Sequence, residues 1–137
     1  MTLRDQLIRD EGKRLTLYQD QLGFNTIGVG HNLDAHGISE DVCELLLTED
    51  IARAEAAVRV RLPWAAELAE PRRAVLVNMA FNMGMGGLMG FRRALAAMQA
   101  GDWPLAAREM LDSRWAGQVG ERATRLAEQM KTGIWVE

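Results

Sequence analysis

Residues 15 to 31 hold the only two runs in the chain that read as strands. Leu15-Thr16-Leu17-Tyr18-Gln19-Asp20 alternates apolar and polar side chains. Phe24-Asn25-Thr26-Ile27-Gly28-Val29-Gly30-His31 alternates less cleanly and is rich in glycine. With Gly23 between them, the runs predict a small hairpin or meander with one buried face. Two or three short strands do not stand alone in water. Helices must therefore cover them, and the rest of the chain has to supply those helices.

It does so with clear punctuation. Thr2 is an N-cap candidate, Leu3, Leu7 and Ile8 share a helical face, and Gly12 is a stop, which predicts a first helix over 1–11. From Ser39 the period changes to that of a helix. Ser39 suits an N-cap, Glu40 and Asp41 suit the positive end of the dipole, and apolar residues recur at 42, 45, 46, 51, 54 and 58. This helix is expected over about 39–61, ending at Leu62-Pro63. Its length of roughly 30 Å would bridge two lobes. Pro71 starts a helix through Asn82, which Gly84, Gly86, Gly87 and Gly90 break up. Further helices are expected over 91–100, stopped by Gly101, then from the Asp102 cap to Asp112, and over 120–130.

The expected fold is therefore α+β within a single domain, 1–137. A small N-terminal β lobe, about 13–60, includes the long connecting helix. A larger all-helical lobe, about 62–137, follows, and helix 1–11 packs on it. Size and composition agree with one globular domain: 137 residues, 48% hydrophobic and 26% charged, which excludes a disordered, collagen-like or disulfide-stapled chain. The single cysteine, Cys43, allows no intrachain disulfide and is expected to be a small buried residue. No apolar run reaches about 18 residues, and residues 1–30 carry no signal-peptide pattern, so synthesis in the cytoplasm without a leader or membrane anchor is expected. Residues 1–71 hold seven basic and thirteen acidic side chains; residues 72–137 hold nine and six. The small positive excess in the second half is too weak for a nucleic-acid face.

Most of the nineteen acids fall on helix surfaces. Glu11 and Asp20 do not. Glu11 ends the first helix just before Gly12, and Asp20 ends the first strand just before a turn. If the hairpin folds back toward the helix end, both face one cleft. Two carboxylates across a cleft are the minimum equipment for hydrolysing a glycosidic bond. Thr26, across the turn from Asp20, can hold a water with its hydroxyl, and Gly28 and Gly30 let a substrate approach the backbone closely. Gly28-Val29-Gly30 lacks the lysine and helix start of a phosphate-binding loop. His31 reads as a general base, a ligand or a structural histidine; with His36 in a following loop and no partner at ligand spacing, no metal is expected. Met79, Met83, Met85 and Met89 read as core filling, as do Trp103, Trp115 and Trp135.

Glu11-Gly12, Tyr18-x-Asp20 and Gly23-x-x-Thr26-Ile27-Gly28-Val29-Gly30-His31 together resemble the catalytic region of the phage-type lysozymes, glycoside hydrolase family 24. The likeness continues through Leu45–Asp50, Asn78-Met79-x-Phe81-Asn82-Met83-Gly84, Ser113-Arg114-Trp115, Arg122-Ala123 and Thr132-Gly133-x-Trp135. It covers nearly the whole length.

The resemblance implies a muramidase that cleaves the β-1,4 bond between N-acetylmuramic acid and N-acetylglucosamine in peptidoglycan, without cofactor or metal. It implies Glu11 as general acid, Asp20 as second carboxylate and Thr26 as the residue positioning water in an inverting reaction. Burial is expected to keep Glu11 protonated. Arg122 stands where the family places an arginine beside the acid, fixing geometry and sharing its fork with Asp10, and His31 is expected to pair with Asp50. Asn32 and Phe81 match positions lining the sugar cleft, Asn32 replacing a commonly apolar residue. Ala94 and Glu109 stand where polar contacts of another kind are usual. Only seven residues separate His31 from Ser39, so a rim loop of the family is shortened. The implied setting is a monomeric endolysin that reaches the wall after a holin opens the membrane. The alternatives are a non-catalytic peptidoglycan-binding module and a lytic transglycosylase; Asp20 and Thr26 argue against both.

Overall fold

The computed structural model describes residues 1–137. Eight α-helices and three strands follow one another in this order: α1 (Leu3–Glu11), β1 (Arg14–Gln19), β2 (Asn25–Gly28), β3 (His31–Asn32), α2 (Leu33–His36), α3 (Glu40–Arg61), α4 (Glu70–Met89), α5 (Arg92–Ala100), α6 (Trp103–Leu111), α7 (Arg114–Val119) and α8 (Glu121–Thr132). A 3₁₀ turn, Pro63–Glu67, lies between α3 and α4. The fold is α+β, as expected. The chain divides into two compact units, Met1–Leu46 and Leu47–Glu137, with the division inside α3.

In the first unit, Thr2 caps α1 with a reciprocal box. Its hydroxyl oxygen accepts the Asp5 N–H at 3.1 Å, and the Asp5 carboxylate accepts the Thr2 N–H at 2.9 Å. Gly12 ends the helix at a positive φ of 79°. The strands form one antiparallel sheet in the order β1-β2-β3, with Tyr18 opposite Thr26, Thr26 opposite Asn32 and Ile27 opposite His31. Ser39 caps α3 by accepting the Val42 N–H at 3.2 Å.

Three expectations for this unit are corrected. The meander lacks a buried apolar face: Leu15 and Leu17 are 79% and 61% exposed on edge strand β1. Residues 33–36 are a one-turn helix rather than a loop, because Asn32 caps it by accepting the Ala35 N–H at 2.9 Å. Cys43 is exposed on α3, not buried.

The second unit holds the apolar core, and every buried hydrophobic residue of the chain lies at or after Ala54. Leu76 and Met79 of α4, Met98 of α5, Met110 of α6 and Met130 of α8 are at most 1% exposed. Met83, Met85 and Met89 are half-buried against that core, as the core-filling reading expected. The break in α4 falls at Gly84, whose φ of 76° and ψ of 165° leave the helix. Trp115 is buried and Trp103 half-buried, but Trp135 is 54% exposed. Arg72 ties three helices together. It stacks on the Trp103 ring at 3.8 Å and donates to the Met130 and Lys131 carbonyls at 2.8 and 3.0 Å, capping the end of α8.

Candidate active site

Glu11, Asp20 and Thr26 all belong to the first unit, each placed by a different local device. Glu11 is the last residue of α1, and its side chain lies against Gly30 in the turn between β2 and β3. That turn needs glycine twice, since Gly28 and Gly30 have φ of 71° and 66°. The expected burial of Glu11 is not found; the residue is exposed.

Asp20 closes the β1–β2 turn. Its Oδ1 accepts the N–H groups of Leu22 and Phe24, both at 2.9 Å, while its own N–H donates to the Phe24 carbonyl at 2.9 Å. Both side-chain bonds use one oxygen, which leaves Oδ2 for another partner. Thr26 is 2% exposed and is the one buried residue of the unit. Its hydroxyl donates to the Phe24 carbonyl at 2.8 Å, so the lone pairs of Oγ1 remain available as acceptors. Register sets Thr26 opposite Tyr18, two residues before Asp20. Phe24 thus links the two: its N–H holds Asp20 and its carbonyl holds Thr26.

The residues expected to support the site have the following partners. His31 Nε2 lies 2.6 Å from the Gly37 carbonyl, and the His31 and His36 rings are 6.1 Å apart. Asp50 accepts from Arg53 at 2.6 Å. Asp10 accepts from Arg9 at 3.0 Å. Arg122 sets its fork on Asn78, with Nε and Nη2 at 3.1 and 2.7 Å from Oδ1. Asn32 spends its side-chain oxygen on the α2 cap. Partial burial lowers the Arg72 pKa from its ordinary value.

Among the cavities of the second unit, two border residues singled out in the sequence. One of about 770 Å3 is bordered by Ile51, Val58, Val77, Phe81, Arg122 and Trp135. Phe81 is 46% exposed there. No local pattern marks Trp135 as bordering this opening, because an aromatic near a chain end reads equally well as core. The other, of about 510 Å3, is lined by Arg92, Arg93, Arg114, Glu109 and Asp112 around Ala94 and Trp115. Ala94 and Glu109 therefore share one charged recess. The neighbour of Gly30 is the Glu11 side chain.

The phage lysozyme family profile matches residues 9–131. The chain is 32% identical to part of the pre-baseplate central spike protein Gp5 of Enterobacteria phage T4, an alignment covering 97% of the chain and 28% of the spike protein. It is 26% identical to probable T4-type lysozyme 1 of Dictyostelium discoideum, covering 96% of the chain and 95% of that protein. It is 34% identical to the endolysin of Salmonella phage P22 over 62% of each. The chain thus spans little more than a quarter of the spike protein and nearly all of the Dictyostelium one. The first two alignments extend over 162 and 161 positions, more than the 137 residues present, so these relatives carry insertions relative to this chain. The residues of the site and the matched length lead to one conclusion: the chain belongs to the phage lysozyme family.

Proposed function

We propose that this protein is a muramidase that hydrolyses the β-1,4 bond between N-acetylmuramic acid and N-acetylglucosamine in peptidoglycan. The observation that carries the reading is the Phe24 linkage, in which one backbone unit orients both a carboxylate and a threonine hydroxyl. In this reading Glu11 protonates the leaving oxygen. A water donates one proton toward Asp20 Oδ2 and is steadied by the Thr26 lone pairs while it attacks the anomeric carbon. Such an inverting reaction needs the two carboxyl groups roughly 6.5–9.5 Å apart, to leave room for the water. Because Oδ1 of Asp20 is held by two amides, the carboxylate keeps one orientation as the proton arrives.

Arg122, His31 and Asp50 are proposed as structural support, and Asn32 and Phe81 as sugar contacts. Packing of α1 on the helical unit belongs to the same proposal. So does the biological setting, an endolysin that meets the wall as a monomer after a holin has opened the membrane. No single helix is long and apolar enough to cross a membrane. The similarity to an endolysin supports that setting.

The test is release of soluble fragments from purified peptidoglycan by wild type, Glu11→Gln and Asp20→Asn. Loss of a general acid or base lowers the rate about 10²–10⁴-fold. Wild-type rates in Glu11→Gln would remove Glu11 from the chemistry.

A further inference from the structure

We propose that Gly30 is a positioning residue for the general acid: the missing side chain leaves the space that the Glu11 carboxyl group occupies. This rests on the reading of Glu11 as the acid. A Cβ at Gly30 would stand 3.0 Å from Glu11 Oε2, 3.1 Å from Cδ and 3.2 Å from Cγ. Three consecutive atoms of the acid therefore lie along the glycine, so bending the tip alone would not relieve the contact.

The turn is less able to yield than the acid. Ile27 pairs with His31 across it, and His31 is latched to the Gly37 carbonyl at 2.6 Å. Asn32 caps α2, and Asp34 accepts the Asn25 N–H at 2.7 Å, joining α2 back to β2. Glu11 has none of these ties: it is exposed and ends its helix. A methyl group at position 30 therefore moves the acid rather than the turn.

Gly28 provides an internal control. It lies in the same turn with a φ of 71°, close to the 66° of Gly30, but a Cβ there meets nothing within 4 Å. Alanine at either position forces the same unfavourable backbone region. Only alanine at 30 also meets Glu11.

The experiment compares Gly28→Ala, Gly30→Ala and Glu11→Gln with wild type, measuring melting temperature and both kcat and KM on soluble peptidoglycan fragments. The two glycine variants should lose similar amounts of melting temperature. Gly30→Ala should lose up to roughly 10-fold in kcat with KM held within about twofold, because Glu11 has to give way by a few tenths of an ångström, short of the full ångström that costs about 10²-fold. Gly28→Ala reports what the strained backbone alone does to kcat, and its loss should be several-fold smaller than that of Gly30→Ala. In the double variant with Glu11→Asp, the shorter acid withdraws from the added methyl, so Gly30→Ala should lower kcat less than it does beside glutamate. If Gly30→Ala does not fold, Gly30→Asn takes its place, because asparagine tolerates positive φ and still carries a Cβ. Equal kcat losses in the two glycine variants would show backbone strain alone and overturn the proposal. A rise confined to KM would make Gly30 a substrate-approach position and also overturn it. If Glu11→Gln keeps its rate, the assignment of the acid fails, and this inference fails with it.

Discussion

Asp20 shows how a single side chain can serve structure and chemistry through different atoms. Oδ1 closes the turn by accepting two amides, which leaves Oδ2 for the proposed water. The two roles separate on substitution. Asparagine keeps an oxygen for the amides, so Asp20→Asn should melt close to wild type while its rate falls by about 10²–10⁴-fold. Alanine removes both bonds, each worth roughly 1 kcal/mol, so Asp20→Ala should lose the rate and melt lower. Calorimetry alongside wall-digestion rates checks both. Full activity in Asp20→Asn would leave Asp20 only the turn. At this scale the sequence was informative where local geometry decides. An acid before a glycine at a helix end, and an acid opening a turn, are visible as residue types in order. Exposure was not visible. Cys43, Trp135 and Glu11 all proved more exposed than expected, because exposure depends on what the rest of the chain brings near. The Asn78 partner of Arg122 is 44 residues away along the chain, beyond any local pattern.

The longer helices were readable where a cap marks them. Thr2, Ser39 and Asp102 accept the backbone amides expected of N-caps, and Gly12 and Gly101 close helices at positive φ. The one-turn α2, the six-residue α7 and the 3₁₀ turn escaped because each is too short to show a period. Gly133 tests whether a cap acts alone or with a long-range partner. It ends α8 at a φ of 72°, and a Cβ there would stand 2.9 Å from Arg72 Cζ. Gly101 has nearly the same φ, 75°, but its nearest atom is a Trp103 ring carbon at 3.9 Å. Gly101→Ala should cost about 1 kcal/mol for backbone strain. Gly133→Ala should cost roughly 1–2 kcal/mol more, because Arg72 must leave either the Trp103 face or the α8 carbonyls. Urea unfolding of both variants measures the difference. Equal losses would mean that the Arg72 clamp adds nothing to stability.

For the molecule as a whole, the proposed catalytic trio and the apolar core lie in different units. Thr26 is the single buried residue among the first 46, while the core begins at Ala54. Backbone amides with few buried apolar neighbours open at low free energy. Strand amides in β1–β3 should therefore exchange with solvent well before those of α4, α6 and α8, and hydrogen exchange read by mass spectrometry checks this. Uniform protection across both units would contradict it. Charge is also unevenly spread, with the basic excess confined to residues 72–137. Exposed charges are screened beyond about 10 Å at 0.1 M salt and about 3 Å at 1 M. Digestion of anionic walls should therefore slow as salt rises over that range. A flat salt profile would remove electrostatic docking through this half. The most direct test of the central claim is the chemical identity of the ends formed when wild type digests purified peptidoglycan, read by mass spectrometry beside Glu11→Gln. Hydrolysis predicts new reducing ends on N-acetylmuramic acid with wild type and almost none with the variant. Anhydro ends, or wall binding without release of fragments, would contradict it.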